Sequence, residues 1–135
     1  MTLRFAQIAA LAAAMAVFAG VPAMAQGIDP SSQEQPAPYD DQLVRLSEVL
    51  GAIHYLRNLC GADENQTWRD QMQKLIDAEN PSVARKARFV DGFNRGYRGF
   101  QRTHATCTDA SKLLADRFVS EGAQISSQIA TRYAN

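Results

Sequence analysis

Apolar side chains recur along this chain at the three- and four-residue intervals of an amphipathic helix. The segment 89–107 shows this spacing most clearly. No segment shows the strict alternation of apolar and polar residues that marks a half-buried strand, so the pattern predicts an all-α fold. The apolar face of that segment carries Phe89, Phe93, Gly96, Phe100, Thr103 and Cys107.

The first predicted helix covers 40–60, and Gly61 suits the left-handed residue that often follows a helix. A second helix is expected to begin at a capping pair, Asp63 and Gln66, and to stop near Glu79. Its inner face carries Trp68, Met72, Leu75 and Ile76. The apolar face of the first helix carries Leu43, Leu46, Leu50, Ile53 and Cys60, widened by Val49, Leu56 and Leu59.

A third helix is predicted over 81–106, with Asn80 as its N-cap and proline in its first position. It contains Gly92, Gly96 and Gly99, each of which costs up to about 1 kcal/mol relative to alanine. Either a kink or the close approach of a neighbouring helix would explain them, and we favour close approach.

A fourth helix follows, capped by Thr106 or Thr108 and with Asp109 in its first turn. Its apolar face carries Leu114, Phe118, Ile125, Ile129 and Tyr133, supported by Leu113 and Val119.

The N-terminal segment has the pattern of a signal peptide over 1–25. A weakly basic start precedes the apolar run 5–21, and Ala23-Met24-Ala25 forms a small-x-small cleavage site. Residues 26–38 are rich in proline, glutamine and serine and predict a disordered tether. The helical domain is therefore expected at 39–135, without a transmembrane anchor in the mature chain.

Cys60 and Cys107 are the two cysteines, and in an exported protein they predict one disulfide. A redox pair is the alternative, but no Cys-x-x-Cys motif is present. A bond between the ends of the first and third helices requires them to run roughly parallel. This predicts a four-helix up-down bundle.

Fourteen basic residues balance fourteen acidic ones, so the overall charge does not suggest nucleic acid. The basic residues nevertheless concentrate in the third helix, where one stripe carries Arg88, Asp91, Arg95, Arg98 and Arg102. Guanidinium groups in register can bind phosphates or carboxylates. The stripe is therefore a candidate surface for a protein partner or a small anion, and the alternative is an ordinary solvated face.

Other candidate chemistry is weaker. His54 and His104 each lie near a cysteine, but a metal site needs three or four ligands, so no metal and no cofactor are predicted. Glu48 and Asp91 could form a paired-carboxylate glycan hydrolase only if they share a cleft. The aromatic residues that could form a ligand box are better explained as core: Tyr55, Tyr97, Phe93, Phe100 and Trp68.

Two segments carry a family resemblance. The segment 39–60, which begins Tyr39-Asp40-Asp41-Gln42-Leu43, and the segment Phe93-Asn94-Arg95-Gly96-Tyr97-Arg98-Gly99-Phe100 are similar to a family of small exported alphaproteobacterial proteins labelled only as a domain of unknown function. The resemblance covers about 39–133. It implies a periplasmic envelope protein of a Gram-negative cell, and it supplies no catalytic or binding residues.

Taken together, these patterns predict a non-enzymatic periplasmic module that docks an unidentified envelope protein through the arginine stripe. The alternatives are a binder of a small anion or cell-envelope ligand and, more distantly, a cell-wall glycan hydrolase. Neither the partner nor the oligomeric state follows from the sequence.

Overall fold

In a computed structural model of the chain, the described residues are 35–134, and they form four helices without any strand. The prediction of an all-α fold is confirmed. The predicted signal peptide and residues 26–34 of the predicted tether lie outside the described residues. The helices are α1 (Asp40–Leu59), α2 (Thr67–Glu79), α3 (Val83–Thr103) and α4 (Asp109–Tyr133).

Helix α1 lies at the centre and packs against each of the other three helices. It is buried on nearly every side, because its apolar face meets α2 and α4 while Ser47, Gly51 and His54 face α3. The sequence predicted one apolar face for this helix. The hydrophobic pattern did not predict the second buried face, because that face carries small and polar residues.

Contacts across the helices give their directions. Arg45 near the start of α1 pairs with Glu121 at 2.7 Å, and Arg57 near its end pairs with Asp116 at 3.0 Å. Residue numbers therefore rise along α1 as they fall along α4, so these two helices run antiparallel.

Helices α1 and α3 run parallel and approach each other closely at glycines. A Cβ atom on Gly96 would overlap the carbonyl oxygen of Glu48, and one on Gly92 would lie 2.9 Å from the carbonyl oxygen of Val44. Close approach therefore explains these two glycines, as predicted. Gly99 is different, because a Cβ atom there would meet nothing within 4 Å.

The turns around α2 differ from the prediction. Helix α2 begins at Thr67, and its N-cap Gln66 makes no side-chain capping bond, so the predicted Asp63 cap is wrong. Asn80 ends α2 in a left-handed conformation with φ 39°. Ser82 instead caps α3, accepting a hydrogen bond from the Arg85 amide at 3.3 Å, because its short hydroxyl reaches the free N–H groups of the first turn.

Thr108, one of the two predicted caps, is the N-cap of α4 and accepts a hydrogen bond from the Ser111 amide at 3.1 Å. The buried positions of this helix are small ones, Ser111, Ala115 and Gly122. Leu113 was expected to support the apolar face, but it is 54% exposed. The large apolar residues of α4 are only half-buried, because they flank the small residues that contact α1.

A buried ion-pair network joins the start of α1, the end of α2 and the start of α3. Arg85 contacts Asp40 at 2.7 Å and Glu79 at 2.6 Å, and both Asp40 and Arg85 are buried. The hydrogen bond to Asp40 raises the pKa of Arg85 further above its usual range. This bond outweighs the desolvation of the buried guanidinium, which alone would lower the pKa. Removing one partner of such a pair typically costs about 3–5 kcal/mol, because the other charge stays buried alone.

The predicted disulfide between Cys60 and Cys107 is present, with its Cα atoms 4.9 Å apart. Cys60 caps the C-terminal end of α1, and Cys107 lies in the connection between α3 and α4. The bond therefore ties this connection to the end of the central helix.

Candidate functional site

The arginine stripe lies on the side of α3 that faces solvent. Phe89, Gly92, Phe93 and Gly96 are buried on the other side of the same helix, and their packing against α1 fixes its rotation. All five predicted stripe residues are exposed: Arg88, Asp91, Arg95, Arg98 and Arg102.

Arg88 is set apart from the other arginines by its acidic neighbours. Its guanidinium lies 3.4 Å from the Asp41 carboxylate and 3.7 Å from that of Asp40. These two residues suit the positive N-terminal end of α1. Because acidic groups compensate its charge, Arg88 contributes less to an anion-binding surface than the sequence suggested.

Arg95, Arg98 and Arg102 form the uncompensated part of the stripe. Among residues 35–134, none of the three has an ion-pair partner. They line one shallow depression of about 600 Å³. The other residues that line it are Glu48, Asp91, Asn94 and Gly99. The helical spacing therefore brings three of the predicted residues to one concave surface.

The two carboxylates considered for hydrolysis both line this depression. Glu48 lies 3.4 Å from Arg45, with its side chain 36% exposed, and Asp91 is exposed. A catalytic pair needs environments that keep one carboxyl protonated and the other ionised, which usually requires burial of one of them. The shared location meets the geometric condition for the hydrolase alternative, but neither carboxyl is buried.

The two histidines occupy different environments. His54 is buried, and its ring packs 5.8 Å from that of Phe93 and 5.7 Å from that of Tyr97. Burial, and secondarily the charge of Arg69, lowers the pKa of His54. His104 accepts a hydrogen bond from the Tyr55 hydroxyl through its backbone carbonyl. In the described part of the chain, no group of three or more potential ligands is arranged to hold a metal ion.

The predicted aromatic residues divide between two regions. Tyr55 and Tyr97 pack edge to face with centroids 5.4 Å apart, and Phe100 packs similarly on Phe118 at 5.2 Å. These pairs join α1 to α3 and α3 to α4, so they serve packing. Trp68 lies on α2, away from these ring pairs, in a groove that the sequence did not predict.

That groove lies between α2 and α4, which both pack on α1 while their backbones stay apart. Its volume is about 540 Å³. The one hint in the sequence was the run of small residues on α4, which leaves space opposite α2. Helix α1 forms the floor with Leu43, Leu46, Leu50 and Ile53; α2 supplies Trp68, Gln71, Lys74, Leu75, Ala78 and Glu79; and α4 supplies Val119, Gly122, Ala123, Ser126, Ile129 and Ala130.

Within residues 35–134, no helix combines the length and apolar composition needed to cross a bilayer. Comparison with known proteins gives one family: the model described as "Protein of unknown function (DUF2385)" matches residues 38–133. No curated protein and no solved structure matches the chain.

Proposed function

The chain belongs to this family of unknown function, and we propose that it is a non-enzymatic interaction module that docks an acidic surface of an envelope protein. The contact surface is the part of α3 formed by Arg95, Arg98 and Arg102. The disulfide supports an oxidising compartment, and the predicted signal peptide agrees with export to the periplasm.

One observation carries this proposal. Three exposed arginines surround one depression, and none of them has an ion-pair partner among residues 35–134. On α1, by contrast, Arg45 is paired with Glu121 and Arg57 with Asp116. Planar guanidinium groups bind carboxylates bidentately. A partner that presents acidic side chains would supply the missing counter-charges.

Gly99 gives independent support. It lines the same depression, and a Cβ atom there would meet no neighbouring atom. The residue therefore has no packing reason to be glycine, although glycine costs about 1 kcal/mol in a helix interior. A bare backbone at this position lets a partner approach the helix between the arginines.

A small anion in the same depression is the second candidate, because three guanidinium groups converge on a space of small-molecule size. A thermal-shift screen with phosphate, sulfate and short dicarboxylates distinguishes the two. A ligand that binds only the folded state raises the melting temperature.

The direct test reverses the charge of two arginines. Crosslinking in intact producing cells, followed by mass spectrometry, should identify one dominant partner of the wild-type chain. Arg95→Glu combined with Arg98→Glu should reduce its recovery by about tenfold or more, because repulsion from an acidic partner replaces attraction.

The matched control is Arg117→Glu combined with Arg132→Glu on α4, where both arginines are exposed. This variant should retain the partner, and both variants should melt within a few degrees of the wild type. Equal partner recovery from the wild type and the α3 variant would refute the docking surface.

A further inference from the structure

The groove between α2 and α4 is independent of the arginine surface. Its floor residues Leu43, Leu46, Leu50 and Ile53 lie at three- and four-residue intervals along one side of α1. The α1 residues that meet the glycines of α3, Val44 and Glu48 among them, lie on nearly the opposite side at 3.6 residues per turn. The two surfaces can therefore be tested separately.

The groove has the dimensions of a small-ligand site. Its volume of about 540 Å³ falls within the range of roughly 300–1,000 Å³ for ligand pockets. Sixteen residues line it, fewer than the roughly 20–30 that each side of a standard protein interface contributes. From Leu43 to Ile53 the floor is about 15 Å long, since a helix rises 1.5 Å per residue.

The lining is apolar along this length. It includes two charged residues, Lys74 and Glu79, which differ in whether they have an ion-pair partner. Glu79 at one end is already paired with Arg85 at 2.6 Å. Lys74 on α2 is exposed and has no ion-pair partner among residues 35–134. Gln71 lies one helical turn before it and also lines the groove. The uncompensated charge beside the apolar trough is therefore positive.

We propose that this groove binds a single-chain amphiphile with an anionic head, such as a fatty acid. The hydrocarbon tail lies along the α1 floor, and the small residues Gly122, Ala123 and Ser126 on α4 leave room for it. The carboxylate lies beside Lys74 and Gln71. Burial of the tail provides most of the affinity, because removing apolar surface from water is the main favourable term in such binding.

The chain contains its own reporter, because Trp68 is its single tryptophan and lines the groove. The test titrates the whole chain, purified with its disulfide formed, with 2-bromododecanoate and 12-bromododecanoate below their micellar concentrations. Bromine quenches tryptophan on contact. At least one of the two acids should quench Trp68 saturably, and unlabelled dodecanoate should reverse the quenching.

Two variants test the tail and the head separately. Ala123→Phe, at an exposed lining position, should weaken binding by about tenfold or more, because the added ring fills the space of the tail. Lys74→Gln should weaken binding of the acids by about two- to fivefold, as for an exposed ion pair. It should leave binding of 12-bromododecanol unchanged.

The matched controls are Ala110→Phe on α4 and Lys86→Gln on α3, at exposed positions that do not line the groove. Both should bind like the wild type. Absence of quenching by both acids, or quenching that Ala123→Phe leaves intact, would overturn the proposal. A wild-type dimer that Ala123→Phe converts to a monomer, without quenching by either acid, would instead assign the groove to a second copy of the chain.

Discussion

At the scale of single residues, the packing of α1 against α3 depends on positions where a side chain cannot fit. Gly96 meets the backbone of Glu48 and Ala52, and Gly51 meets the backbone around Phe93. These are contacts with backbone atoms, which cannot move aside as the end of a flexible side chain can. The two helices can therefore be this close only if both positions lack a Cβ atom.

Replacing Gly96 by alanine should consequently destabilise the protein. We expect the free energy of unfolding to fall by about 2 kcal/mol or more, because overpacking outweighs the gain of about 1 kcal/mol in helix propensity. Urea denaturation followed by circular dichroism measures this change.

The matched control is Gly99→Ala in the same helix. A Cβ atom at this position meets no neighbour within 4 Å, so only the helix propensity changes. Stability should stay the same or rise by up to about 1 kcal/mol. If Gly96→Ala were as stable as Gly99→Ala, close helix approach would not explain the glycine.

At the scale of helices, the sequence predicted the number of elements and most of their bounds. The prediction succeeded where apolar spacing was regular. It offered two threonines before an acidic first turn as the cap of α4, and the second of them, Thr108, is the cap in the structure. It failed around Asn80, where two cap types compete. Asparagine is a good N-cap but also tolerates a left-handed backbone, and here it ends α2.

The disulfide acts on the same scale, because it ties the end of α1 to the connection between α3 and α4. With a sequence separation of 47 residues, the chain-entropy model gives a stabilisation of about 4 kcal/mol. The double variant Cys60→Ser and Cys107→Ser should lose about this amount in urea denaturation. Reductant should destabilise the wild type similarly.

The same double variant serves as the control for the reductant, which should not change its midpoint. A wild-type chain that unfolds at the same urea concentration with and without reductant would show that the bond contributes little to stability.

At the scale of the whole molecule, the arginine surface was predictable and the groove was not. Arg95, Arg98 and Arg102 follow one helical face, so their spacing alone brings them together once α3 forms. The groove depends on how far α2 and α4 separate as both rest on α1. No local pattern encodes this separation, because it results from packing between residues distant in the sequence.

The dependence of folding stability on pH is also a property of the whole molecule, and here it involves His54. Burial, together with the nearby charge of Arg69, lowers the pKa of this histidine in the folded state. At a pH below the unfolded-state pKa, which is near 6.5, the unfolded chain therefore binds a proton at this histidine more readily than the folded chain does. Linkage then requires stability to decrease as pH falls through this range, whereas above about pH 7.5 both states are neutral and the effect disappears.

His54→Gln removes the titrating ring while keeping a polar side chain of similar size. We expect the variant to lose less stability than the wild type between pH 7.5 and pH 5.5, measured by urea denaturation at each pH. His104→Gln controls for the only other histidine. If the free energy of unfolding changed with pH in the same way in the wild type and in His54→Gln, the pKa of His54 could not be lowered in the folded state. Linkage requires the two curves to diverge at low pH when His54 binds its proton more weakly in the folded state.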